Sequence, residues 1–583
     1  MQEERDKRQE AGCKRQWVGI LLLASCLLYS FFNFFSHLGA ESFYYDEVVY
    51  SLSGLEYLQG NLTRNWEHPF LGKYLMGLSL HLLGKSDFSA RFPSALFGFL
   101  TGVIIYVFAK KVTNAWCGLA AVCLWSTSPI VLWVSRRAIL DAPFVFFFTL
   151  SWYLFWQFFK TKGTGHALLG GITLGLAIAT KLVGVILVPI LILYLVFAGT
   201  RDKESLRPAV LSKLTLALSI ALLILLLTYA PVLDRLGSVF QVMNEHWRWE
   251  QRSGHREVIN NVIYDKQPWW TYLYWYWQGY LPYLQSYTPG VLILLGLAIG
   301  FALLRGDNID VFLLLSLLLP FCYLSFYLTY KMFRYADILE PPLAILAASF
   351  IFAVGSFLRR WSETRFLESI VSKTSALASV FGAPTDTLKR KNLVSLTASK
   401  TRSCAYGVAS LALTAVLIMA MIHSTGNIQA EEENRYKAVA HYLSPRIKRE
   451  ESIFVWGYTN VMSWYMGEEN TIVGGFNSSG FSGNYHEADY IMVDPLMVSK
   501  WPDDPLKAYL EDSRAMYTEH AVGGFELYTR RKRPGARHFD RQSHSKTAFQ
   551  TIFGVRTGDF SGVPGTLVAL SNDRLNDYHQ PSG

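Results

Sequence analysis

The chain has 583 residues, 51% of them hydrophobic, 15% aromatic and only 17% charged, which is too apolar for a soluble protein of that length and marks a polytopic membrane protein. Its net charge of +9 is divided among short basic clusters between apolar runs, the distribution that sets membrane orientation, and this excludes a nucleic-acid partner. The six cysteines lie at or before Cys404 and form neither a disulfide framework nor a Cys/His metal site.

Residues 1–16 form a polar, basic N-terminal segment. The apolar run 17–38 that follows has no small-residue cleavage site, so a retained helix is expected. A polar stretch, 38–91, then separates it from further runs near 92–109, 115–134, 142–159, 167–199, 211–232, 289–304, 309–329, 335–357 and 404–423. The 167–199 run is too long for one span. Lys160 and Lys162 before it and Arg201, Lys203 and Arg207 after it put both ends on the cytoplasmic side, so it is expected to fold as a hairpin turning near Thr180-Lys181. The expectation is an all-α polytopic membrane domain, 17–423, of eleven spans. Its N-terminus and the basic loop 358–403 would be cytoplasmic, and the long loops 38–91 and 233–288 would lie outside.

Two short outer turns carry Arg136-Arg137 and Lys331 with Arg334, against the orientation rule, and an anion at the outer face would account for them. The 233–288 loop is dense in Trp and Tyr, which suits both a headgroup-layer anchor and stacking on sugar rings. Beyond the last span, 424–531 alternates helix-like and strand-like pieces and is expected to be a small α/β domain outside the membrane, followed by a flexible tail, 532–583. No nucleotide-binding loop is visible there.

The densest polar stretch is 44–91. It begins YYDEVVY and continues to His68-Pro69, Lys73 and Arg91, so acids and bases meet where the bilayer meets water. The outward groups together are the carboxylates Asp46, Glu47 and Asp141, the cations Lys73, Arg91, Arg136, Arg137, Lys181, Lys266, Lys331 and Arg334, and His68. Paired carboxylates beside fixed cations suit a reaction in which a hydroxyl loses a proton while an anionic phosphate departs. A lipid-phosphate sugar is such a substrate. Lys181 equally suits a snorkelling lysine, and Arg91 an interface anchor. The oxygens of Asp46 and Glu47 also suit a divalent cation, although no cofactor is required by the sequence. A transporter or lipid flippase is the rival reading; transporters carry their charges nearer mid-span and often show inverted repeats, whereas no repeat is visible here.

These residues resemble a known family. YDE, HPFLGKYL and ARFPSALFG are similar to the first-loop signature of the dolichyl-phosphate-mannose protein mannosyltransferases, and RRAILDAPFVFF, ATKLVGVILVP, YDKQPWWTYLYW and FRYADILEPP follow in that family's order. The resemblance covers about 40–345 and extends to the aminoarabinose transferases, which share the GT-C architecture. It implies transfer of a sugar, mannose by the first likeness, with inversion, from a polyprenyl or dolichyl phosphate to a hydroxyl of a protein, lipid or glycan on the outer or lumenal face. It also implies that Asp46 is the catalytic Asp, the general base, with Glu47 as its partner, and that Lys73, Arg91, Arg137, Lys181 and Arg334 face the donor phosphate. His68, Asp141, Lys266, Trp269, Trp270 and Tyr335 would line the substrate pocket. Phe70 stands where the family has a second Pro, and no central trefoil domain is present. An oligosaccharyltransferase fits less well, because Trp269-Trp270 is followed by Thr-Tyr rather than Asp.

The eleven-span topology is checked by cysteine labelling of intact membranes. A cysteine at Val380 should be shielded from outside reagent and one at Gly480 should react; outside labelling at 380 would refute the span count.

Overall fold

The computed structural model describes residues 21, 23–252, 257–259, 262–264, 266–278, 289–356, 435–448, 451–466, 471–477, 480–483, 485–494, 506, 509–510, 517–522 and 525–530. It divides into two compact units, Met1–Ala438 and Val439–Gly583.

The first unit is helical. After α1 (Leu23–Phe35), the polar stretch folds as two short helices, α2 (Tyr45–Leu58) and α3 (Leu71–Leu83). They pack through paired glycines: a Cβ on Gly77 would stand 2.2 Å from the Gly54 carbonyl oxygen, so only glycine lets the two backbones approach this closely. The long helix α4 (Asp87–Val112) starts where the Ser86 hydroxyl accepts from the Ser89 N–H, and Lys110 and Lys111 close its last turn. Asn114 caps α5 (Ala115–Thr127) in the same way. Pro129 forces Ser128 out of helical geometry, and the chain restarts as α6 (Pro129–Ser135) after a 65° bend.

α7 (Asp141–Thr161) and α8 (Thr164–Thr180) follow. Lys181 is extended, at φ −152° and ψ 126°, so the helix stops there; a short 3₁₀ turn leads into α9 (Leu187–Arg201). The break falls where the basic flanks of the 167–199 run place it. α8 lies against α10 (Pro208–Tyr229), where Gly171 and Gly175 meet the Ala217 and Ala221 backbone, the small-residue packing that membrane helices use. The 233–288 segment holds α11 (Leu236–Arg252), a two-stranded ribbon of β1 (Glu257–Ile259) and β2 (Val262–Tyr264), and α12 (Thr271–Gln278). α13 (Pro289–Arg305), α14 (Asn308–Cys322), a π-helical turn at Tyr323–Tyr327 and the helix Phe333–Ser356 follow in the described part of the unit.

Among the described residues six helices are long and apolar enough to cross a membrane, or seven if the bent α5–α6 pair is one span. The chain is a multi-pass membrane protein, but the expected eleven spans are not reproduced. As described, α1, α8 and the apolar part of α13 are each shorter than a spanning helix, and the 404–423 run lies outside the described residues, as do residues 1–16, 358–403 and 532–583.

The second unit contains a six-stranded sheet in the order β5-β4-β3-β6-β8-β7. β3 (Ser452–Tyr458) pairs in parallel with β4 (Thr471–Asn477) and β6 (Tyr490–Val493). β5 (Gly480–Gly483), β7 (Tyr517–Val522) and β8 (Phe525–Arg530) pair antiparallel at the edges. Phe454, Trp456, Ile491 and Val493 form its core, the near-continuous apolar runs expected of strands buried on both faces.

Candidate active site

The Asp46-Glu47 pair opens α2, and the helix turns the two side chains to different neighbours. Glu47 is fully buried. Its Oε1 accepts from Arg91 Nε at 2.7 Å and from the Ala138 N–H at 2.7 Å, while its Oε2 accepts from Arg91 Nη2 at 2.9 Å and from the Tyr44 N–H at 2.8 Å. A carboxylate offers about four acceptor sites, so Glu47 is saturated. Arg91 uses its remaining donors on the carbonyls of Leu38, Glu41 and Ser42. All five of its N–H groups are engaged.

Asp46 is partly open, with 20% of its side chain exposed, and its Oδ2 lies 2.6 Å from Arg334 Nη1. Arg334 is buried, and its Nε has no hydrogen-bond partner among the described residues. Its guanidinium stands 5.7 Å from the centre of the Tyr335 ring, which Lys181 Nζ approaches at 4.5 Å. Lys181 in turn donates to Asp141 Oδ1 at 2.7 Å. The helix break after α8 is what frees Lys181 to reach the first turn of α7.

Lys181 and Tyr335 line a cavity of about 150 Å³ together with Glu67, His68, His246 and Asp337. A cavity of about that volume takes one six-membered ring. Asp337 is buried, and its Oδ2 has no hydrogen-bond partner among the described residues. The His68 ring lies 5.5 Å from that of His246 and 5.7 Å from that of Tyr50. Burial, reinforced by the Lys73 charge, holds the His68 imidazole well below its usual range, so it is neutral at physiological pH. Tyr50 stands one turn beyond Asp46 on the same face of α2, and burial pushes its phenol up.

The structure thus brings together Asp46, Asp141, Lys181, Arg334 and Tyr335, with His68 on the adjoining cavity. Other expected residues point elsewhere. Lys73 and Arg91, expected at the donor phosphate, have every N–H engaged within the protein, Lys73 by Asn65 and the His68 carbonyl. Arg137 Nη2 donates to Glu41 Oε1 at 2.6 Å and its guanidinium lies 4.4 Å from the Trp133 ring. Arg136 and Lys331, the other cations that run against the orientation rule, donate to backbone carbonyls. Burial lowers the Lys331 ammonium to about 8. Lys266 is exposed, Trp269 stacks on Phe326, and Trp270 meets Tyr274 edge to face, so neither ring lines the cavity. The Asp46-Glu47 pair does not fit a divalent cation as arranged, because Glu47 has no acceptor site left. No cluster of three His, Cys, Asp or Glu side chains suits a metal among the described residues.

Tyr50, His246 and Asp337 were not legible as site residues. Helical spacing from Asp46 and from Arg334 is the signal that finds Tyr50 and Asp337; nothing local distinguishes His246.

The helical membrane unit carries the motif order on which the resemblance to the GT-C membrane glycosyltransferases is read from the sequence. The family model described as dolichyl-phosphate-mannose-protein mannosyltransferase matches residues 67–229 and so begins after the Asp46-Glu47 pair. The undecaprenyl phosphate-α-4-amino-4-deoxy-L-arabinose arabinosyl transferase 1 of Pseudomonas fluorescens is 28% identical over 270 residues, 45% of this chain and 46% of that protein. Transferase 2 of Sodalis glossinidius is 31% identical over 148 residues, 24% of this chain and 27% of that one. The chain therefore matches less than half the length of either relative. The crystal structure of ArnT from Cupriavidus metallidurans bound to undecaprenyl phosphate superposes with a TM-score of 0.57 at 16% identity, covering 90% of this chain and 99% of that one, which shows a shared fold.

Glu47→Ala should leave the Arg91 guanidinium buried and unpaired at a cost of about 3–5 kcal/mol. It should lower the thermal stability of the detergent-purified protein sharply, with Glu47→Gln intermediate. A wild-type melting temperature for Glu47→Ala would contradict the structural role.

Proposed function

We propose that the chain is an inverting glycosyltransferase that moves a sugar from a polyprenyl phosphate to an acceptor hydroxyl at the outer face of the membrane. The observation that carries this reading is Arg334. A guanidinium buried at a helix start, held by one carboxylate and with Nε unpartnered among the described residues, is costly to keep unless an anion completes it, and a phosphate takes two parallel N–H bonds from such a fork. Lys181, across the Tyr335 ring, adds a point charge.

In this reading the donor phosphate engages Arg334 and Lys181, and so competes with Asp46 for the Arg334 guanidinium. That frees a carboxylate oxygen to receive the proton of the acceptor hydroxyl. The hydroxyl oxygen then bonds to the anomeric carbon from the face opposite the phosphate, the bond from that carbon to the phosphate oxygen breaks, and the phosphate leaves with the electron pair. Arg334 and Lys181 hold the charge that develops on it. Glu47 takes no part in the proton transfer; with Arg91 it fixes the start of α2 and hence the direction of Asp46.

The family model's description names mannose and the curated relatives' names give aminoarabinose; a lipid phosphate is common to both. The test offers both labelled donors, dolichyl-phosphate mannose and undecaprenyl-phosphate aminoarabinose, to the purified chain with peptide, lipid A and glycan acceptors. One donor should label one acceptor, and Asp46→Asn should reduce turnover by about 10²–10⁴-fold. No label transfer from either donor, together with movement of intact donor across proteoliposomes, would favour transport instead. Near-normal turnover of Asp46→Asn would remove it as the base.

A further inference from the structure

Lys73 lies in the first turn of α3 and is completely buried, with the Tyr57 and Phe70 rings 5.4 and 5.5 Å from Nζ. An ammonium has three N–H donors, and one loop takes them all: the Asn65 carbonyl, Asn65 Oδ1 at 3.1 Å and the His68 carbonyl at 2.8 Å. Asn65 itself has φ +55°, the left-handed region that Asn enters more readily than most residues. Its side-chain Nδ2 donates to Glu67 Oε2 at 2.9 Å. Glu67 and His68, which this loop carries, line the cavity that Lys181, Tyr335 and Asp337 also line.

We propose that Lys73 and Asn65 are positioning residues: Lys73 clamps the 65–68 loop, Asn65 relays the clamp to Glu67, and together they set where the Glu67 carboxylate and the His68 ring stand in the cavity. No ligand reaches Lys73 Nζ without first displacing an oxygen of this loop. Three oxygens around three donors is the geometry of the charged form. Burial works against that charge and pulls the ammonium down to about 7, with Glu67 opposing the fall. A methionine at 73 would keep the stem but leave two carbonyls and one amide oxygen without their donor. The left-handed Asn65 would then lose the bonds that hold it, and Glu67 and His68 would lose their fixed position.

The kinetic arm of the test rests on the transferase reading, whereas the exchange arm does not. Lys73→Met, Asn65→Gly and the double variant are purified as the full chain. Asn65→Gly keeps the left-handed backbone and Lys73 but removes the relay to Glu67. Hydrogen exchange of peptide 61–70 should rise at least about tenfold in Lys73→Met, with α4 and α7 unchanged. Turnover of whichever labelled lipid-phosphate sugar the wild type uses should fall about 10²-fold in kcat/KM in each single variant, the loss expected when a cavity group is misplaced by about 1 Å. The acceptor KM should hold, and the double variant should lose no more than the worse single one, because both act through one loop. Unchanged exchange of the peptide, or losses that multiply in the double variant, would overturn the proposal. If Lys73→Met does not fold, Asn65→Gly decides it: unchanged kcat/KM refutes the relay, and a fall with acceptor KM intact supports it. If the wild type transfers no sugar, the transferase reading fails and peptide exchange alone decides the clamp.

Discussion

Glu47 and Arg91 hold the start of α2 to its neighbouring segments by burying a charge pair that neither could bear alone. Arg91, in the first turns of α4, reaches back to the carbonyls of 38, 41 and 42 between α1 and α2, and Glu47 reaches forward to the Ala138 N–H before α7. One bidentate pair therefore joins three segments of chain, and with every donor and acceptor engaged it meets the condition under which a buried ion pair is tolerated. The start of α2 is fixed by it, and so is the direction in which Asp46 leaves the helix.

That constraint divides the labour between neighbouring carboxylates. Among the described residues Asp46 keeps a single ion-pair contact, to Arg334, and some solvent access, while Glu47 has neither a spare lone pair nor exposure. The same contrast runs through the cations. Arg91 and Lys73 are satisfied by the protein, while Arg334 keeps a buried donor with no hydrogen-bond partner among the described residues. A buried donor without a partner is costly, and the proposed anion site rests on that cost.

Much of this was legible in the sequence. The polar stretch 44–91 announced itself by its acids and bases, the break at Lys181 by the basic residues on both flanks of an over-long apolar run, and Arg334 by lying on the wrong side for its charge. What sequence could not supply was pairing. Whether Asp46 or Glu47 is the open carboxylate depends on Arg91, 44 residues beyond Glu47, and on a backbone N–H 91 residues away. Lys73 read as a donor-facing cation because its motif position says nothing of the loop oxygens around it. The eleven spans are not reproduced among the described residues for a different reason: hydropathy counts apolar residues, whereas the bend at Ser128 follows from a proline, and the 404–423 run lies outside the described residues. Glu67 and His246 come from distant segments and meet only in the fold.

The central claim is that the anion site of this chain is Arg334 with Lys181, and not the better-filled Arg91 or Lys73. The most direct measurement is a structure of the full chain with undecaprenyl phosphate bound. The account predicts phosphate oxygens within hydrogen-bond distance of Arg334 Nε and Lys181 Nζ, the Arg334 to Asp46 contact lengthened, and the Glu47–Arg91 pair unchanged. A phosphate seated on Arg91 or Lys73, with Arg334 still closed on Asp46, would contradict it.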